Sequence, residues 1–267
     1  MTTDRALRRS ALALIGLTAM LGSGPSTVLA QAQVGVPGCT DDAPVRAMRE
    51  SITFDSRGRT IRAHLYTPRG EANGEGLVLL HGGTGFEMNS ILFDAHAIQL
   101  ASRGYRVILP AYFDAADPDA RRRTAVARAW RQAALDAAEA LSAEPGMARD
   151  RVALWGYSRG AAVGADAATA EGSGVRSAIL VAGGGAVEGS VAGRDLSVLL
   201  LHARRDEAVP VRSTLRLAEA LREAGATVEV RELAFDGHQY DLPTWCEAFR
   251  TTRAFLENRR EAGDGPA

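Results

Sequence analysis

The stretch "ALWGYSRGAAVG", residues 153–164, sets a serine between two glycines where an apolar run gives way to small residues. Ahead of it, "RVALWGY" reads as a buried strand; behind it, "RGAAVGADAATA" has helical composition in spite of its glycines. A strand, a sharp turn and a helix form the context that presents a serine as a nucleophile. The five-residue pattern is short enough to arise by chance, and a serine in a tight turn is its other reading. Gly156 and Gly160 have a physical reason, because a side chain at either place would press on the neighbouring strand or helix. The rest of the chain has to decide between the two.

Working outward, "RESITFDS" and "TIRAHLYTP" predict an antiparallel pair, with turn residues from Asp55 to Gly58 and Pro68 closing the second strand. "GLVLLHGG" holds a short, almost wholly apolar strand of the kind buried on both faces. A helix is expected over residues 90–102, a strand at "YRVILP", and a long Ala-rich helix over 120–143. After the Ser158 unit come the strands "VRSAILVAGG" and "LSVLLLHA", a helix over 211–223, the strand "TVEVREL", and a last helix over 243–259. This alternation predicts an α/β fold: a three-layer α/β/α sandwich around a mostly parallel central sheet. No repeat or long linker interrupts it, so residues 49–267 read as a single domain.

The first 30 residues differ in kind. Arg5, Arg8 and Arg9 precede the apolar run "ALALIGLTAML", and small residues lead to a cleavage site after Ala30 or after Ala32. This is the pattern of a signal peptide, too short for a membrane span and followed by Gly and Pro. It implies export to the periplasm or secretion, with no stable membrane insertion after cleavage. "RRSAL" meets the twin-arginine pattern only in part, so the route stays open. Residues 31–48 read as an irregular mature N-terminus. Cys39 and Cys246 are then the only cysteines of an exported chain. They form either a disulfide between the N-terminus and the last helix or two separate apolar thiols.

Composition excludes several classes. The formal charge is −1, which gives no basis for a nucleic-acid partner. All 31 basic residues are arginine, a bias spread through the whole chain. The five histidines show no metal-ligand spacing, and the glycines follow late strands and not the first strand–helix turn that binds a dinucleotide. No metal and no cofactor is expected.

In a parallel sheet, ligands sit beyond the carboxyl ends of the strands. Three residues fall there: Ser158, Asp206 in "RRDEAVP" after "LSVLLLHA", and His238 in "AFDGHQYD" after "VEVREL". Their order and their separations of 48 and 32 residues are those of the α/β-hydrolase class. Each has a bland reading: a turn serine, a helix cap or arginine partner with Glu207 as a rival carboxylate, and a surface-loop histidine. Together they predict a nucleophile, an acid and a base. The backbone N–H groups of Arg159 and Gly83, with Thr84 as runner-up in "HGGTG", are the expected oxyanion donors. His81 reads as structural.

On "HGGTGF", "GYSRGA", "HARRDEAVP" and "FDGHQYD", the chain resembles the dienelactone-hydrolase-like members of the α/β-hydrolase superfamily over residues 50–260. The resemblance implies that Ser158, Asp206 and His238 are the triad. Typical members use cysteine as nucleophile, and a serine stands at position 158. Arg204 and Arg205 depart from the pattern at the acid loop; they either meet a substrate carboxylate or point to solvent. Thr84, Phe86, Tyr157 and Tyr240 are candidate pocket residues, with Tyr112, Phe113 and Trp245 nearby. The expected partner is a small ester. An amidase using the same triad, or a non-catalytic binding protein on the fold, are the rival readings.

Overall fold

The computed structural model describes residues 8–9, 38–117 and 121–263. The expected signal peptide lies outside the described residues except for Arg8–Arg9, a two-residue strand (β1) paired antiparallel with Thr53 and Ile52. The irregular segment ends two residues earlier than expected, because β2 (Ala47–Ser56) already pairs with β3 (Arg59–Pro68) from Ala47. Arg57 and Gly58, both with positive φ, close this hairpin in the handedness that matches strand twist.

The remaining strands are β4 (Gly76–Leu80), β5 (Arg106–Pro110), β6 (Val152–Tyr157), β7 (Ser177–Val181), β8 (Ser197–Arg205) and β9 (Thr227–Asp236). One sheet holds them in the order β1-β2-β3-β5-β4-β6-β7-β8-β9. Pairing is antiparallel up to the β3–β5 contact and parallel from there to β9. The helices are α1 (Phe86–Ala101), α2 (Arg123–Ser142), α3 (Arg159–Thr169), α4 (Val211–Glu223) and α5 (Leu242–Gly263). This is an α/β-hydrolase sandwich with a mostly parallel sheet.

Side chains alternate across β4 as the pleat requires: Val78 and Leu80 join the apolar layer under α2, α3 and α4, while Leu77 and Leu79 face α1 and α5. Burial on both faces explains why β4 reads as an unbroken apolar run. Helix α1 begins four residues earlier than its expected start. Gly85, at φ 92°, lets the chain turn straight from the loop into the helix, and the Asn89 N–H bonds the Gly85 carbonyl.

Cys39 and Cys246 form a disulfide, so the first of the two sequence readings holds. The segment around it is fastened to the body in other ways. Ala43 exchanges two hydrogen bonds with the Gln99 side chain on α1, and Asp41 pairs with Arg253 on α5. No helix among the described residues is long and apolar enough to cross a membrane.

Candidate active site

The elbow after β6 is built by exclusion. Ser158 holds φ 54° and ψ −111°, a region that costs a non-glycine residue about 1–3 kcal/mol. Its N–H bonds the Val181 carbonyl at 2.8 Å, and its carbonyl accepts the N–H groups of Ala161 and Ala162 at the start of α3. A Cβ on Gly156 would lie 2.2 Å from the Gly160 carbonyl oxygen, and one on Gly160 would lie 2.2 Å from that of Leu80. Real side chains do not tolerate such distances. The two glycines therefore let β6, α3 and the end of β4 close on one another and force the serine outward.

Ser158, Asp206 and His238 come together above the sheet. His238 Nε2 is 2.9 Å from Ser158 Oγ, and His238 Nδ1 is 2.7 Å from Asp206 Oδ2. The other carboxylate oxygen accepts the N–H groups of Ala208 (2.9 Å) and Val209 (2.7 Å). A carboxylate only accepts, so Nδ1 carries the imidazole proton and Nε2 is left to accept from the serine hydroxyl. The Asp206 side chain is fully buried, and that of His238 is 13 % exposed. Tyr157 backs the histidine: its ring stacks on the imidazole at 5.2 Å, and its hydroxyl donates to the His238 carbonyl at 2.6 Å.

The loop after β4 is held by side chains. His81 is buried, its Nδ1–H donates to the Gly82 carbonyl at 2.9 Å, and its ring stacks on Tyr112 at 4.2 Å. Tyr112 also donates its hydroxyl to the His81 carbonyl. Burial pushes the His81 imidazole down to about 4, so at neutral pH it is an uncharged prop, in line with its structural reading. The Gly82 N–H donates to Asn89 Oδ1 at 3.0 Å, and Asn89 Nδ2 donates to Thr84 Oγ1. Asn89 is the residue that sequence reading missed; its one signal is a polar side chain in the opening turn of α1. Gly83 and Thr84 stand exposed between these fastenings. Arg159 opens α3, where the N–H has no intrahelical partner.

Phe86, Tyr157 and Tyr240 are buried. Phe86 packs against the His64 and His81 rings, and the Tyr240 hydroxyl accepts the Ala203 N–H. Tyr112 and Trp245 are buried as well, and Phe113 stacks on Trp130 at 4.5 Å. Arg204 and Arg205 turn to the same Asp236 carboxylate, at 3.1 Å and 3.5 Å. The Arg159 guanidinium lies 5.8 Å over the Trp130 ring and helps line a cleft of about 1090 Å³ beside the elbow.

A mostly parallel sheet with a Ser–His–Asp cluster at its carboxyl end places the molecule among the α/β-hydrolases. The chain belongs to the dienelactone hydrolase family, whose model matches residues 61–241. No curated protein sequence matches it significantly. Solved structures share the fold. A dienelactone hydrolase-like promiscuous phosphotriesterase from metagenomic libraries is 19 % identical, with TM-score 0.66 over 80 % of this chain and 98 % of its own. A fungal esterase from Rhizomucor miehei is 16 % identical, with TM-score 0.65 over 84 % and 87 %. The acylaminoacyl peptidase of Pyrococcus horikoshii is 16 % identical, with TM-score 0.63 over 79 % of this chain but 42 % of its own. Membership of this family supports hydrolytic activity on small substrates.

Proposed function

We propose that this protein is a serine hydrolase that cleaves the carboxylic ester of a small or accessible substrate through an acyl-enzyme. The observation that carries the reading is the hydrogen-bonded run from Ser158 Oγ through His238 to Asp206, with the serine held at positive φ at the head of α3. In this reading residues 49–267 form one catalytic domain, supported by the single continuous sheet.

Ser158 Oγ attacks the ester carbonyl carbon and passes its proton to His238 Nε2. Asp206 holds the imidazole in its Nδ1–H tautomer and stabilises the imidazolium. The tetrahedral oxyanion is received by the N–H groups of Gly83 and Arg159. Collapse breaks the bond to the alcohol oxygen, which takes the proton from His238. Water, deprotonated by the same imidazole, then releases the carboxylic acid and restores the serine.

Short loops around the site support an accessible substrate, with Thr84 and the cleft under Arg159 and Phe113 on its rim. Export is part of the same proposal; a disulfide suits an oxidising compartment.

The test is labelling of the folded protein with a fluorophosphonate, followed by mapping of the adduct. We expect it on Ser158, and no adduct there overturns the reading. Short p-nitrophenyl esters should be turned over, with a loss of about 10³-fold or more in Ser158→Ala. Efficient cleavage of peptide amides with poor ester turnover would instead make the protein an amidase.

A further inference from the structure

A second imidazole stands behind Asp206. His202, near the end of β8, has a side chain only 1 % exposed. Its Nε2 is 2.9 Å from the Val209 carbonyl oxygen and 3.6 Å from Asp206 Oδ2. Its Nδ1 is 2.6 Å from Thr214 Oγ1 on α4, and the same hydroxyl reaches the Gly183 carbonyl after β7. A carbonyl only accepts, so Nε2 bears a proton, directed at Val209 with the Asp206 carboxylate alongside. Thr214 has one proton and two acceptors within reach, the Gly183 carbonyl and the Nδ1 of a neutral ring.

The two N–H groups that Asp206 Oδ1 accepts belong to its own turn. They fix the carboxylate within the turn that directly follows β8. The bond from His202 to Val209 ties the far side of that turn back to β8. On its other side the ring leads through Thr214 to Gly183, where a Cβ would lie 2.2 Å from that of Ala161 and 3.3 Å from the Ser158 carbonyl oxygen.

We propose that His202 is a positioning residue of this site, holding the Asp206 turn so that Oδ2 faces His238. The inference rests on the hydrolase reading above. His202 meets no reacting atom. The groups facing it are Asp206 from the turn after β8, His238 from the loop after β9 and Thr214 from α4; Tyr157 stacks on the far side of His238. Arg204 and Arg205 face away, toward Asp236. Burial lowers the basicity of His202, so it stays neutral at physiological pH.

The experiment follows the His238 imidazole by NMR titration in the full chain and measures kcat and KM on a short nitrophenyl ester. It compares wild type with His202→Leu, His202→Gln and His202→Asn. In His202→Leu the His238 titration should differ measurably from that of the wild type as the carboxylate loosens its hold. The accompanying loss in kcat should be about 10- to 100-fold, with KM within twofold. Glutamine places an amide N–H near the Nε2 position and should restore most of both; asparagine, too short to reach Val209, should not. If the leucine variant fails to fold, the glutamine–asparagine contrast carries the test. Variants that lose thermal stability but keep the wild-type midpoint and kcat overturn the proposal. A wild type that takes no label at Ser158 refutes the hydrolase reading instead, while the titration still reports on the hold of His202 over the Asp206–His238 pair.

Discussion

The loop after β4 and the loop after β6 meet at the same site, both are rich in glycine, and they are built in opposite ways. In the elbow, Gly156 and Gly160 are required by contact: backbone oxygens occupy the places where their Cβ atoms would go. In the loop 81–85, Gly83 has nothing within 4 Å of its Cβ position, and side chains from elsewhere do the fastening. The nucleophile proposed at Ser158 needs one rigid direction, and packed backbone supplies it. In the proposed mechanism the other loop receives a developing charge, which needs open space, and tethers at its two ends supply that.

The sharpest test of this contrast is Gly160→Ala. Its Cβ would meet the carbonyl oxygens of Leu80 and His81 at 2.2 Å and 2.7 Å, so we expect a loss of about 4 kcal/mol or more, read as a collapse in folded yield or in the urea midpoint. A well-folded variant would mean that the elbow is not set by this contact.

Acid should act next, and on the other loop. Because His81 titrates near 4 when folded and near 6.5 when unfolded, the unfolded chain binds the extra proton first as pH falls. The stability its neutral form provides is complete above about 6.5 and is lost progressively toward 4, up to about 3 kcal/mol. Buried His96, also lowered by desolvation, adds in the same direction. Urea unfolding between pH 7 and 4.5 checks the slope, which should be shallower in His81→Phe.

A smaller effect is expected from Asn89→Ala. Releasing Gly82 and Thr84 should lower kcat by about tenfold, or about 1.4 kcal/mol, with little change in KM. An unchanged kcat would show that the loop holds its shape without the tether. Smallest of all is Gly83→Ala, which keeps the N–H and fills empty space. Its stability should stay within about 0.5 kcal/mol of wild type by thermal melt. A large loss there would erase the contrast between the two loops.

How much of this was legible in the sequence follows from the range of the interactions. The strands announced themselves because burial on both faces leaves an unbroken apolar run, as in "LVLL" and "SVLLLHA", and their order put Ser158, Asp206 and His238 at one end of the sheet. The start of α1 was hidden, since a glycine turn and not an apolar period begins it. The pairing of Cys39 with Cys246 joins residues 207 apart, and composition alone left it open. Arg204 and Arg205 were readable as cations near the acid loop, but their common partner Asp236 depends on a register shift between β8 and β9 that no local pattern shows. Asn89 and His202 escaped for a related reason. Each works through a backbone group of another segment, and a lone polar residue in a helix or at a strand end carries no mark of that.

The disulfide also changes what a cut in the chain would do. Cys39 lies ahead of β2 and Cys246 within α5, so the strands from β2 to β9 all belong to one covalent ring. A protease that nicks an exposed loop between them opens the ring without freeing either piece. The nicked protein should therefore run as a single species until a reductant is added, and only then separate into two.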